Sequence, residues 1–111
     1  MNEEQQVQKI IKQLVALGAM LPGSLSEQWN VCGTAGCKCK DQQNPTRHGP
    51  YYQLSFSVKG RSSTLFLRPE EVLEARRRIR NYQRFKQLVM ALTQAYVDLA
   101  RKQKQSGRLS A

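Results

Sequence analysis

Cys32, Cys37, Cys39 and His48 stand in the pattern Cys-x4-Cys-x-Cys-x8-His. Thiolates and imidazoles are donors that zinc accepts in a tetrahedron, and a closed set of three sulfurs and one nitrogen is a structural rather than a catalytic arrangement. Gly33, Gly36 and Gly49 sit beside three of these residues, where a chain wrapping an ion needs unusual backbone angles. Lys38 and Lys40 add positive charge that favours ionised sulfur. His48 is the chain's one histidine, and it falls where a fourth ligand is wanted. Buried, reduced cysteines are the competing explanation, but such residues belong in apolar runs and this stretch is polar. The spacing predicts one Zn2+ held by Cys32, Cys37, Cys39 and His48. A catalytic zinc fits less well, because such sites keep an open position and usually a nearby carboxylate. Between Glu27 and Glu70 the one acid is Asp41, and the His-x-Glu and Pro-Cys-x-x-Cys signature of zinc deaminases is absent. The expectation is a protein without enzymatic activity.

The elements that must position these four residues are read from periodicity. The expected fold class is α+β: an N-terminal helix, a zinc-stapled loop, a β-hairpin and a long C-terminal helix. Segments 1–22, 23–68, 69–105 and 106–111 are expected to form one domain. An amphipathic helix is predicted over about Glu3 to Ala19, with Val7, Ile10, Ile11, Leu14 and Val15 on one stripe. Gly18 and Leu21-Pro22-Gly23 end it. Its polar face is mostly glutamine, which favours packing against another helix over lying on a membrane. Ser24 to Gly49 reads as loop. Tyr51 to Val58 alternates, with Tyr52, Leu54, Phe56 and Val58 on one face and Tyr51, Gln53, Ser55 and Ser57 on the other. Lys59-Gly60 supplies a tight turn, and Arg61 to Leu67 returns as the second strand of a two-stranded hairpin. Arg68-Pro69-Glu70-Glu71 starts a helix that meets no Gly or Pro until about Lys104. At 1.5 Å per residue it is a rod of about 50 Å. Tyr82, Phe85, Val89, Leu92, Tyr96 and Leu99 form its apolar stripe, which predicts a homodimer or larger assembly with coiled-coil character.

Composition sets the partner class. The 111 residues are 40% hydrophobic and carry a net charge of +10. That charge points to a polyanion, with nucleic acid ahead of an anionic membrane. No stretch approaches the roughly 18 apolar residues needed to span a bilayer. The opening Met1-Asn2-Glu3-Glu4-Gln5-Gln6 is unlike a signal peptide. A cytoplasmic protein without membrane contact is expected, and in that compartment clustered cysteines point to metal rather than disulfides.

The motifs Gly23-Ser24-Leu25, Cys32-Gly33, Cys37-Lys38-Cys39, His48-Gly49-Pro50-Tyr51-Tyr52, Gly60-Arg61 and Asn81-Tyr82-x-Arg84-Phe85 resemble a family of small uncharacterised prokaryotic proteins. The likeness runs from about Gly23 to Leu88. It implies that Cys32, Cys37, Cys39 and His48 are the family's metal-type positions. It also implies a setting near transposases, on mobile elements or phages, and lends no established activity.

Along the long helix, Arg76, Arg80 and Arg84 stack at intervals of four, while Glu74 can pair with Arg77 and Arg78. The Arg76/Arg80/Arg84 ridge is expected to bind nucleic acid, DNA somewhat ahead of RNA, with a solvated helix face as the bland alternative. Lys38, Lys40, Arg47, Lys59 and Arg61 form a second basic patch around the loop and hairpin. Tyr51 lies on the polar side of its strand and could stack on a base or simply cap the core. The rival function is an adaptor that docks onto a larger complex, such as a transposase, through the long helix.

Overall fold

The computed structural model describes residues 2–110. The chain divides into two compact units, Met1–Met20 with Arg80–Ala111 and Leu21–Ile79. The element order is α1 (Glu3–Val15), β1 (Ser24–Asn30), β2 (His48–Val58), β3 (Arg61–Leu67) and α2 (Val72–Gln105). This is the expected α+β architecture with one strand more than the sequence indicated.

In the helical unit, α1 starts at a reciprocal cap. The Asn2 side chain accepts from the Gln5 amide at 2.8 Å, and the Gln5 side chain accepts from the Asn2 amide at 3.2 Å. The helix ends at Val15, four residues short of expectation, because the Leu17 amide turns back to the Leu14 carbonyl ahead of Gly18. Val7 and Ile10 are buried against Leu88 and Ala95 of α2, with Ile11, Leu14, Leu17 and Leu92 packed around them. Glu3 meets Lys102 at 3.0 Å at one end, and Asn81 donates to the Ala19 carbonyl at 2.8 Å at the other. The first helical stretch therefore runs antiparallel to α2.

The face that α2 buries differs from the predicted stripe. Leu92 is on it, but Leu88 and Ala95 take the deepest positions, whereas Val89 is 39% and Tyr96 48% exposed. The periodicity reading followed the largest side chains. The buried line is instead the one that meets α1, where Val7 and Ile10 pack on Leu88 and Ala95 and leave the neighbouring line of larger side chains outside.

The second unit is an antiparallel sheet of order β1-β2-β3. β1 forms where a loop was expected. Ser24-Leu25-Ser26-Glu27-Gln28-Trp29-Asn30 is too polar to announce a strand, but its ladder partners are Ser55, Leu54, Gln53, Tyr52 and Tyr51 of β2. Two glycines permit that pairing. A Cβ on Gly23 (φ +97°) would strike the Ser55 carbonyl, and one on Gly49 (φ +140°) would lie 2.7 Å from the Gln28 carbonyl oxygen. The β2–β3 hairpin forms as predicted, turning at Lys59 (φ 54°) and Gly60 (φ 76°).

One sheet face is covered. Leu54 is fully buried there, with Leu25, Tyr52, Phe56 and Leu67 half-buried. Val58, predicted for the same apolar face, is 50% exposed because it stands at the hairpin tip. Ala75 is buried in the first turns of α2, and the Leu21 amide donates to the Arg78 carbonyl at 3.0 Å. Pro69 and the Glu71 carboxylate, which accepts from the Arg68 amide at 2.9 Å, set the start of that helix. Leu54→Ala should therefore lower stability by about 2–5 kcal/mol in chemical denaturation, with the two helices unchanged by circular dichroism at low denaturant.

Candidate metal centre

The link between β1 and β2 leaves the sheet at Asn30 and re-enters at His48, and those two residues pair across the strands. In between, Cys39 is the one buried side chain of the described residues. The loop therefore has almost no core of its own.

It is shaped by backbone turns. Lys38–Lys40 form a single 3-10 turn in which the Lys40 amide returns to the Cys37 carbonyl at 3.0 Å. The excursion from Lys40 to Arg47 is closed at both ends. The Asp41 carboxylate accepts from the Gln43 amide at 2.9 Å, and the Thr46 amide donates to the Lys38 carbonyl at 2.9 Å. This second bond carries the chain back so that His48 faces the cysteines. Asp41, the loop's one acid, is engaged as a turn residue.

The four donor atoms of Cys32, Cys37, Cys39 and His48 all lie within 4.8 Å of one another. Cys32 and Cys39 sulfurs are 3.5 Å apart, and the Cys37 sulfur is 3.2 Å from His48 Nε2. Metal bonds of about 2.0–2.3 Å set donor atoms of a tetrahedron roughly 3.3–3.8 Å apart. The sulfurs are free thiols and well beyond the roughly 2.05 Å of a disulfide. The four residues could hold a metal ion.

Each sulfur also has a backbone amide directed at it. The Cys32 amide donates to the Cys39 sulfur at 3.3 Å. The Thr34 amide, above all, lowers the Cys32 thiol to about 6, with help from the Cys37 and Cys39 thiols. The Cys39 amide is the main cause that lowers Cys37 below the usual thiol range. Burial pushes Cys39 up. His48 is raised by its contacts with the Cys32 and Cys37 sulfurs. Amides aimed at ligand sulfurs are the outer shell that stabilises thiolates at a metal. The sequence offered no signal for these amides, because any residue type can supply one.

The chain matches the family model described as Domain of unknown function (DUF6788) over residues 2–77. It belongs to that family. The matched span takes in α1, the whole metal loop and sheet, and the first turns of α2. No curated protein and no solved structure matches the chain. The family's description assigns no activity.

The remaining residues singled out in the sequence fall in three places. Lys38, Lys40 and Arg47 are exposed on the metal loop, and Lys59 and Arg61 are exposed at the hairpin tip, the far end of β2. The predicted second patch is thus two groups at opposite ends of the sheet. Tyr51 stands 47% exposed, three residues beyond His48. Arg76, Arg80 and Arg84 are exposed along α2. Glu74 pairs with Arg77 at 2.9 Å and Arg78 at 2.8 Å, as anticipated, and these two partners hold its carboxyl down at about 2.

Cys39→Ser should remove the bound metal and unfold the loop, read as metal content by elemental analysis and as lost amide-exchange protection over residues 30–48, while the helical unit keeps its protection. A second outcome concerns pH. Metal displaces protons from the thiols and from His48, so apparent affinity should already decline as pH falls toward neutral, because Cys39 and His48 hold their protons more tightly than usual. It should fall more steeply below about 6, where Cys32 also regains its proton. A chromophoric chelator following metal release across pH 5 to 8 reads this.

Proposed function

We propose that this chain is a non-enzymatic nucleic-acid-binding protein whose loop is stapled by a zinc ion. The metal assignment rests on donor chemistry: three thiolates and an imidazole suit zinc, and a full set of four leaves no open position for a substrate. One observation carries the nucleic-acid assignment. Arg76, Arg80 and Arg84 are exposed one turn apart, and among the described residues none has an acidic side chain within ion-pair distance, although Glu74 on the same helix is fully engaged by Arg77 and Arg78. Like charges one turn apart repel by a few tenths of a kcal/mol per pair, and phosphates relieve that repulsion. We favour DNA over RNA, in the cytoplasm, in the mobile-element or phage setting implied by the motif resemblance.

Exposed Val89 and Tyr96, with Met90 and Val97 beside them at the same seven-residue interval, favour a protein contact as well. We propose self-association through this band; docking onto a transposase-like complex is the adaptor reading. Val89→Glu with Tyr96→Glu should reduce the mass seen by light scattering to that of one chain and leave metal content unchanged.

The nucleic-acid reading is tested by salt. Each duplex phosphate neutralised contributes about 0.9 to the slope of log affinity against log salt. Changing Arg76, Arg80 and Arg84 together to Gln should flatten that slope by roughly two to three units and weaken all sequences alike, because phosphate contacts position a protein without specifying bases. An unchanged slope would leave the ridge a solvated face and put the adaptor first.

A further inference from the structure

The sheet has a second face. Strand alternation puts Gln53, Ser55 and Tyr51 of β2 opposite in sense to Leu54, and the register pairs Gln53 with Phe66 of β3. Phe66 is 72% exposed. Tyr51, two residues along β2 from Gln53, is its diagonal neighbour, and such neighbours stand roughly 7–8 Å apart. Two aromatic rings thus share one open face, on adjacent strands.

What surrounds them is small and uncharged. Ser24, Ser26, Ser55 and Thr64 belong to this face by register, and the Ser57 and Ser62 hydroxyls meet across it at 2.7 Å. Among these short side chains both rings are exposed, Phe66 more than Tyr51. None of the strand residues on this side is acidic; Glu27, the one acid in the three strands, pairs with Tyr52 and so shares the opposite side. Positive charge brackets the face along β2, from Lys38, Lys40 and Arg47 in the loop at the Tyr51 end to Lys59 in the hairpin turn, while Arg61 pairs with Val58 and so belongs to the opposite side.

We propose that this face binds single-stranded nucleic acid by stacking two unpaired bases on Tyr51 and Phe66, with the strand's phosphates drawn to the cations at its two ends. This rests on the nucleic-acid reading above and adds the form of the ligand. Rings spaced among hydroxyls offer little continuous apolar area to a protein, but each offers a flat π surface, which every base can match. Paired bases hide those surfaces inside the duplex, so the face selects unpaired strands. The hydroxyls and Gln53 amide can meet base edges without requiring one sequence. Phe66 was passed over in the sequence because only register shows that it shares a face with Tyr51.

The test uses the full metal-loaded chain, a labelled unstructured oligothymidine and a duplex of the same length, followed by fluorescence anisotropy. Phe66→Ala and Tyr51→Ala should each weaken single-strand binding roughly five- to a hundredfold, while duplex affinity and its salt slope stay as in the parent. Phe66→Leu, which keeps apolar bulk and loses the flat ring, should behave like Phe66→Ala, and Phe66→Trp should retain binding. Both rings are exposed, so melting temperature and metal content should not move. Single-strand affinity unchanged in all of these variants would overturn the proposal and leave the phosphate-binding ridge intact. A parent chain that binds neither oligonucleotide would bring down both. If Phe66→Ala instead altered the mass seen by light scattering and left oligothymidine binding intact, the face would belong to a protein contact and the proposal would fall.

Discussion

Three sulfurs and an imidazole drawn within 4.8 Å form the contact on which the middle of this protein depends. Ionised thiols at that separation repel one another, and a loop with one buried side chain has no apolar burial to offset the repulsion. A bound cation reverses the sign of the interaction. The backbone amides of Cys32, Thr34 and Cys39 point at the sulfurs, which lowers the cost of keeping them ionised before metal arrives. Because the loop joins β1 to β2 at the Asn30–His48 pair, the same contact ties the two strands together just beyond the register shift between Gln28 and Asn30.

Elsewhere the chain relies on two small apolar clusters, and α2 contributes to each unit. Ala75 is buried in the sheet unit, and Leu88 and Ala95 in the helical unit. Alanine fills two of these positions, so few large side chains are buried. Among the described residues, Leu54 alone is fully enclosed. A protein of this size buries a limited fraction of its surface, so a metal ion held in its least apolar segment would have a disproportionate effect.

The eight acidic residues explain why the positive charge is so available. Glu3 pairs with Lys102, Glu74 with Arg77 and Arg78, Glu71 caps the start of α2, Asp41 closes a turn in the metal loop, and Asp98 accepts from Gln94. Most of the negative charge is thereby engaged in local structure. Among the described residues, the arginines of the ridge and the lysines of the loop and hairpin tip form no ion pair with it, so their positive charge stays unneutralised.

Features that depend on near neighbours were legible in the residues themselves. The Cys-x4-Cys-x-Cys-x8-His spacing, the Lys59-Gly60 turn, the Pro69 helix start, the α1 stripe and the Glu74 pairs each rest on groups a few positions apart. Features that depend on distant partners were not. Ser24–Asn30 becomes a strand because Gln53, Leu54 and Ser55 lie alongside it, and nothing within these seven mostly polar residues reveals a ladder partner some thirty positions away. Which line of α2 is buried was decided by where α1 lies, which shifted the core from Val89 and Tyr96 to Leu88 and Ala95. Periodicity defines a helix face only to within one residue, or about 100° of rotation. Likewise, the spacing named four ligands, but hydrogen bonds at Asp41 and Thr46 brought His48 back to the cysteines. Only the pairing of β2 with β3 put Phe66 beside Tyr51. Local residue types set what each segment can become, and tertiary contacts between distant segments select among those possibilities.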